Sequence, residues 1–164
     1  MSRSRINNGE EMTIQITEEE RVFFLVTMLG GANKLIHEIY ELCDTETRDK
    51  VMEKLAAHNQ QLEPVMDMYG LGRDAEALAR AMALSEDVIG CEPRGELQSA
   101  GPDEAVRKVT DCPWKDVFTA DTCRFQMATL EKGLASRYGL TVTCEQTMAD
   151  GADCCIWRVK KSVD

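Results

Sequence analysis

Apolar residues recur at helical spacing up to about residue 92 of this 164-residue chain and alternate in pairs of short runs thereafter. That single change of period restricts the fold more than any other feature. Thr17 and Glu20 form a capping box ahead of an apolar run, Val22 to Leu29, expected to be buried nearly all round and broken by Gly30 and Gly31. A second helix is expected to carry Leu35, Ile36, Ile39, Leu42 and Cys43 on one stripe. Asp44 or Thr45 caps a third, with Val51, Met52, Leu55, Leu62, Val65, Met66 and Tyr69, which Pro64 should kink or split. Gly70 and Gly72 mark a break, Asp74 caps a fourth helix bearing Leu78, Met82, Val88 and Ile89, and Gly90 stops it.

Beyond that point the pattern reads as two β-hairpins around one helix. Gly95 to Ser99 and Glu104 to Thr110 flank Gly101-Pro102-Asp103. A fifth helix, capped by Thr119 or Asp121, presents Cys123, Met127, Leu130, Leu134 and Tyr138 until Gly139 ends it. Leu140 to Thr147 then pairs with Cys154 to Lys160 around Asp150-Gly151-Ala152-Asp153. Hairpins give an antiparallel sheet, and helices segregated from strands give an α+β domain. Residues 13–164 are read as one such domain, helical over 13–92 and cysteine-rich sheet and helix over 93–164, with the polar residues 1–12 expected to be disordered.

The net charge of −10 argues against non-specific binding to nucleic acid or an anionic membrane, since both need a basic face. The only basic cluster, Arg158, Lys160 and Lys161, reads as a solvated strand end. The longest uncharged stretch, Val22 to Asn33, is too short to cross a bilayer, and the acidic Glu18 to Glu20 before it is the wrong flank for a secretory signal. With seven cysteines, an odd number, reduced thiols in a cytoplasm are expected rather than a disulfide framework.

Five of those cysteines, Cys112, Cys123, Cys144, Cys154 and Cys155, fall in the C-terminal third, and they are the side chains with most capacity for chemistry. Cys123, in the first turn of the fifth helix, is either a thiolate favoured by the helix terminus or a small buried hydrophobe. Cys112 precedes Pro113 and Trp114, which form either a pocket edge or a structural turn. A last hairpin centred between Gly151 and Ala152 sets Cys144 opposite Val159 and Met148 opposite Cys155, which leaves Cys144 and Cys155 roughly 13 Å apart. One ion cannot hold both. Cys155 is expected to meet Cys112 and Cys123 if the fifth helix crosses that face, although no Cys-x2-Cys pair announces zinc. His37 and His58 read as surface or core-edge residues, and Glu145 as facing solvent.

Glu76 to Gly90, then Cys112-Pro113-Trp114, Asp121-x-Cys123, Glu145-x2-Met148-x2-Gly151 and Cys155-x-Trp157, resemble the L-2-amino-thiazoline-4-carboxylate hydrolase family. That family is related to the 4-vinyl reductase ligand-binding domains of bacterial sensors. The resemblance covers the chain from Glu76 onward and implies an α+β domain holding a small molecule between helices and an antiparallel sheet. It also implies zinc beside the ligand, with Cys112, Cys123 and Cys155 at the recurring cysteine positions and Glu145 at the acidic one; Met148 stands where the sensors often carry a further cysteine.

The expected function is therefore small-molecule binding, with Cys112, Trp114, Cys123, Cys155 and Trp157 lining the site. One alternative is a hydrolase opening a cyclic amidine at a non-peptide C–N bond, in which Cys123 is nucleophile or metal ligand and Asp121 or Glu145 moves protons. Another is an interaction protein whose apolar first helix is half of a homodimer interface.

Overall fold

The computed structural model describes residues 16–60, 62–88 and 95–162, with side chains left out at 85–88. The expected disorder of residues 1–12, and Ile89 and the Gly90 stop, lie outside the described residues. The element order is α1 (Glu18–Leu42), α2 (Thr45–Asn59), α3 (Leu62–Met68), α4 (Ala75–Val88), β1 (Gly95–Ala100), β2 (Glu104–Val109), α5 (Ala120–Gly133), β3 (Leu140–Gln146) and β4 (Cys155–Lys161). The fold is α+β, as the change of period requires.

The capping box forms as read: Thr17 accepts from the Glu20 amide and Glu20 reaches back to the Thr17 amide at 2.8 Å. The expected break at Gly30-Gly31 does not occur. Two glycines weaken a helix by about 1 kcal/mol each but do not forbid it, and α1 runs through them for 25 residues. Gly30 is there for packing, since a Cβ on it would stand 2.5 Å from Trp114 Cδ1. The indole lies on bare helix backbone and donates to the Val26 carbonyl at 3.1 Å.

The continuous helix also corrects two other expectations. Its apolar residues are not buried all round, because Gly30 alone on α1 is fully buried. By length and composition, α1 is the one helix among the described residues that could cross a membrane. Pro64 falls in the first turn of α3, where its missing N–H costs nothing, so the third helical segment is split into α2 and α3 rather than kinked.

The four strands are ordered β1-β2-β4-β3, all antiparallel. Ala105 and Val109 of β2, Val142 of β3 and Cys155, Trp157 and Val159 of β4 alternate onto the face that α4 and α5 cover. Leu78 and Met82 of α4 meet Leu130, Leu134 and Val159 there, and this makes the core.

The last hairpin is offset from the sequence expectation. Cys144 faces Trp157 and Val142 faces Val159, a shift of two residues, with a bulge between Cys144 and Gln146. Chain 148–150 leaves the ladder as a 3-10 turn, capped by Thr147 and closed by Gly151 at φ 85. Glycine occupies this left-handed conformation without the steric cost other residues meet. The longer turn folds Thr147 back over the buried face, where it is 2% exposed.

Candidate functional site

A cavity of about 350 Å³ lies between the helices and the sheet. Three separated segments build one wall of it. Cys112 and Trp114 come from the loop after β2, Cys123, Gln126, Met127 and Leu130 from α5, and Cys155 and Trp157 from β4. Asn33 of α1, His58 and Asn59 at the end of α2, and Leu62 of α3 close the other side. All five residues expected to line a ligand site border this cavity. Both tryptophans of the chain are among them.

Each wall has a local cause. Trp114 is pinned to α1 at Val26 and stacks on Phe118 with ring centres 5.9 Å apart. Thr119 caps α5 by accepting from the Thr122 amide at 3.2 Å, and Thr122 in turn meets His37 Nδ1 at 3.2 Å. His37 thus docks α1 on the start of α5, beside Phe125 at 5.2 Å. Trp157 is held from the sheet side by the buried Arg107, whose guanidinium lies 5.3 Å from its ring centre. The Trp157 Nε1 atom is buried without a hydrogen-bond partner among the described residues. It approaches the Cys144 sulfur closely enough to favour that thiolate slightly, but without hydrogen-bonding geometry.

Three thiols share the cavity wall. The Cys112 thiol interacts with Cys155, and the Trp114 amide points at the Cys112 sulfur. Thr147 Oγ1 donates to Cys123 Sγ at 3.6 Å and accepts from Cys155 at 3.8 Å, while the Met148 amide donates to Cys155 at 3.3 Å. The contact with Cys155, followed by burial, holds Cys112 well above the ordinary thiol range. Burial raises Cys123 too, with the nearby Cys155 and Asp150 adding to it against Thr147 and Arg124. Burial is the largest of these causes, and the net shift disfavours the thiolate reading of Cys123. All six described cysteines are free thiols.

The two carboxylates proposed as proton carriers are elsewhere. Asp121 is exposed on the outside of α5 and pairs with Arg124 at 3.2 Å. Glu145 sits in the β3 bulge on the outer face, where Arg158 holds its carboxyl below the usual range. The described lining of the cavity includes no carboxylate. The zinc set fits no better. Cys112, Cys123 and Cys155 share a wall, but among the described residues no group of three His, Cys, Asp or Glu side chains is arranged to hold a metal ion. Glu145 is turned away, and Met148 supplies only its amide.

Sequence reasoning missed the polar residues of the lining, Asn33, His58, Asn59 and Gln126. The available signal was their position, since His58-Asn59 ends α2 just ahead of the split at α3. It also missed Thr147, whose contact with two thiols exists only because of the 3-10 turn.

Raised thiol pKa values make stability depend on alkaline pH. Burial pushes Cys144 up to about 11, and Cys112 and Cys123 shift the same way. The folded state then keeps protons that the unfolded chain loses near about pH 8.5, so stability falls as pH rises through that window. The urea midpoint of the reduced protein is expected to decline from about pH 8.5 to about 11. A Cys112→Ser, Cys144→Ser variant should lose much of that slope, whereas an unchanged slope would place its origin in other groups.

No protein-family model matches the chain, and no curated protein matches it.

Proposed function

We propose that this protein is a small-molecule-binding domain whose ligand occupies the cavity between α1, α2, α5 and the sheet. One observation supports the reading most: five residues from distant stretches, Cys112, Trp114, Cys123, Cys155 and Trp157, meet around a single void. About 350 Å³ is within the usual range for ligand pockets. Its lining has the usual balance, an apolar interior of Val109, Leu130, Met82 and aromatic rings with a few amides, Asn33, Asn59 and Gln126, among them. The neutral thiols are soft, polarisable wall atoms that suit an apolar or sulfur-containing ligand. The proposal also takes the chain to be a distant relative of the 4-vinyl reductase and thiazoline hydrolase type, which has the same placement of ligand between helices and sheet.

Binding is favoured over hydrolysis on geometry. A hydrolase needs a proton carrier within reach of its nucleophile. Asp121 and Glu145, the carriers expected for that role, are on the surface in ion pairs, and Cys123 has a raised pKa; among the described lining residues, His58 is left as the one proton carrier besides the thiols.

Because both tryptophans line the cavity, intrinsic emission reports its occupancy directly. Titration with a library of small amphipathic and thioether compounds is expected to give saturable changes for at least one class. A Cys123→Ser, Cys155→Ser variant should stay folded and bind that class at least 10-fold more weakly. Unimpaired binding by the double variant would show that the ligand sits elsewhere.

A further inference from the structure

The exposed face of α1 is as well organised as its buried one. At about 100° per residue, Phe24, Met28, Leu35, Ile39 and Leu42 fall within an arc of about 60°. The residues that meet the rest of the protein, Val26, Gly30, Asn33, His37 and Tyr40, lie on the opposite side. The outer five are 63, 57, 56, 50 and 88% exposed in chain order. Among the described residues the contacts of α1 come from its inner face, which leaves this outer stripe, with Phe23 at 72% exposed beside it, unaccounted for.

We infer that this stripe is the interface of a homodimer, in which α1 of one chain packs along α1 of a second copy. The area fits. A fully exposed large apolar side chain presents roughly 150–200 Å², so the five offer roughly 500–600 Å² per chain, at the upper limit of the largest apolar patch on a typical monomer, about 300–600 Å². Two copies, with the intervening Gly31 and Ala32, remove about 1,200 Å² from water, the lower end of stable specific interfaces. Spacings of four, seven, four and three residues follow one seam of a straight helix. The seven-residue gap from Met28 to Leu35 holds only Gly31 and Ala32 on that side, so the helices can approach closely at its centre. A twofold pair uses the same patch on both chains and closes on itself.

A membrane is the weaker occupant. The inner face of α1 is committed to the protein through Trp114 on Val26, Gly30 under the indole and His37 on Thr122, and crossing a bilayer would strip these contacts away. Lying on a bilayer surface would bring Glu18, Glu19, Glu20, Glu38 and Glu41 and a net charge of −10 against anionic headgroups.

Sedimentation equilibrium of the full chain from 1 to 100 μM tests the assignment. The expected mass at the upper end is twice 18.4 kDa. A Met28→Glu, Leu35→Glu variant should sediment as a monomer with unchanged circular dichroism, because neither position contributes to the described core. Should that variant prove insoluble, Leu35→Ala, Ile39→Ala is expected to dissociate at least 10-fold more readily than wild type. A wild-type monomer throughout the range would overturn the proposal, as would a dimer that both variants leave intact. Flotation of wild type, but not of the charged variant, with phosphatidylcholine vesicles would reassign the stripe to lipid and also overturn it.

Discussion

Gly133→Ala is expected to be the most damaging single methyl group that can be added to this protein. On helix propensity alone the change should stabilise α5 by about 1 kcal/mol. The position forbids it: a Cβ there would lie 2.0 Å from the Ala56 carbonyl oxygen and 2.7 Å from its carbon. These are backbone atoms of α2, so no rotamer change relieves the overlap, and the two helices must separate. Overpacking a tight site costs about 1–3 kcal/mol, and a backbone-to-backbone clash belongs at the upper end. We expect a net loss of about 2 kcal/mol after the propensity gain, hence a fall in Tm of roughly 4–8 °C for a domain of this size. Because α2 carries His58 and Asn59 to the cavity, the variant should also lose binding in proportion to the displacement. Wild-type melting by Gly133→Ala would mean that α2 and α5 do not cross as closely as described.

Trp114→Ala is the second large effect, and it acts on the other side of the cavity. The indole donates to the Val26 carbonyl, covers Gly30 and stacks on Phe118. Removing a well-packed tryptophan costs about 3–5 kcal/mol, and its half-buried state sets the expectation near about 3. The distinctive consequence is local. Amide exchange in the middle of α1 should accelerate more than exchange in α4, since Trp114 is a latch for α1 alone. Trp114→Phe keeps a ring but not the donor, and should lose about 1 kcal/mol. Uniform exchange changes across α1 and α4 would deny the latch.

These two glycine contacts show where the sequence was legible and where it was not. The caps at Thr17, Asp44, Asp74 and Thr119 all form, because each needs only residues within one turn. The two hairpins, β1 with β2 and β3 with β4, are also local pairings, and both form. What failed depended on contacts distant in sequence. Gly30 looks like a helix breaker until Trp114, 84 residues later, is seen to need the missing side chain. The register of the last hairpin slipped because a 3-10 turn at Met148–Asp150 consumes residues that a tight turn would leave in the strands.

The candidate site divides the same way. Cys112, Trp114, Cys123, Cys155 and Trp157 were legible from residue type and position, and they do converge. Asp121 and Glu145 have the right chemistry for proton transfer, but each has a surface arginine as neighbour, which a linear sequence does not reveal. The amides of Asn33, Asn59 and Gln126 were invisible because they become neighbours only when three helices meet.

The cavity itself is tested most directly by native mass spectrometry of freshly purified, reduced protein, wild type beside Gln126→Trp. The indole at position 126 would grow from α5 into the void without replacing a core residue. With the binding class found by tryptophan emission added in excess, wild type is expected to carry one ligand per chain, and Gln126→Trp to appear at its bare mass. Equal occupancy of both proteins, or wild type that stays bare throughout, would contradict the assignment of this cavity as the binding site.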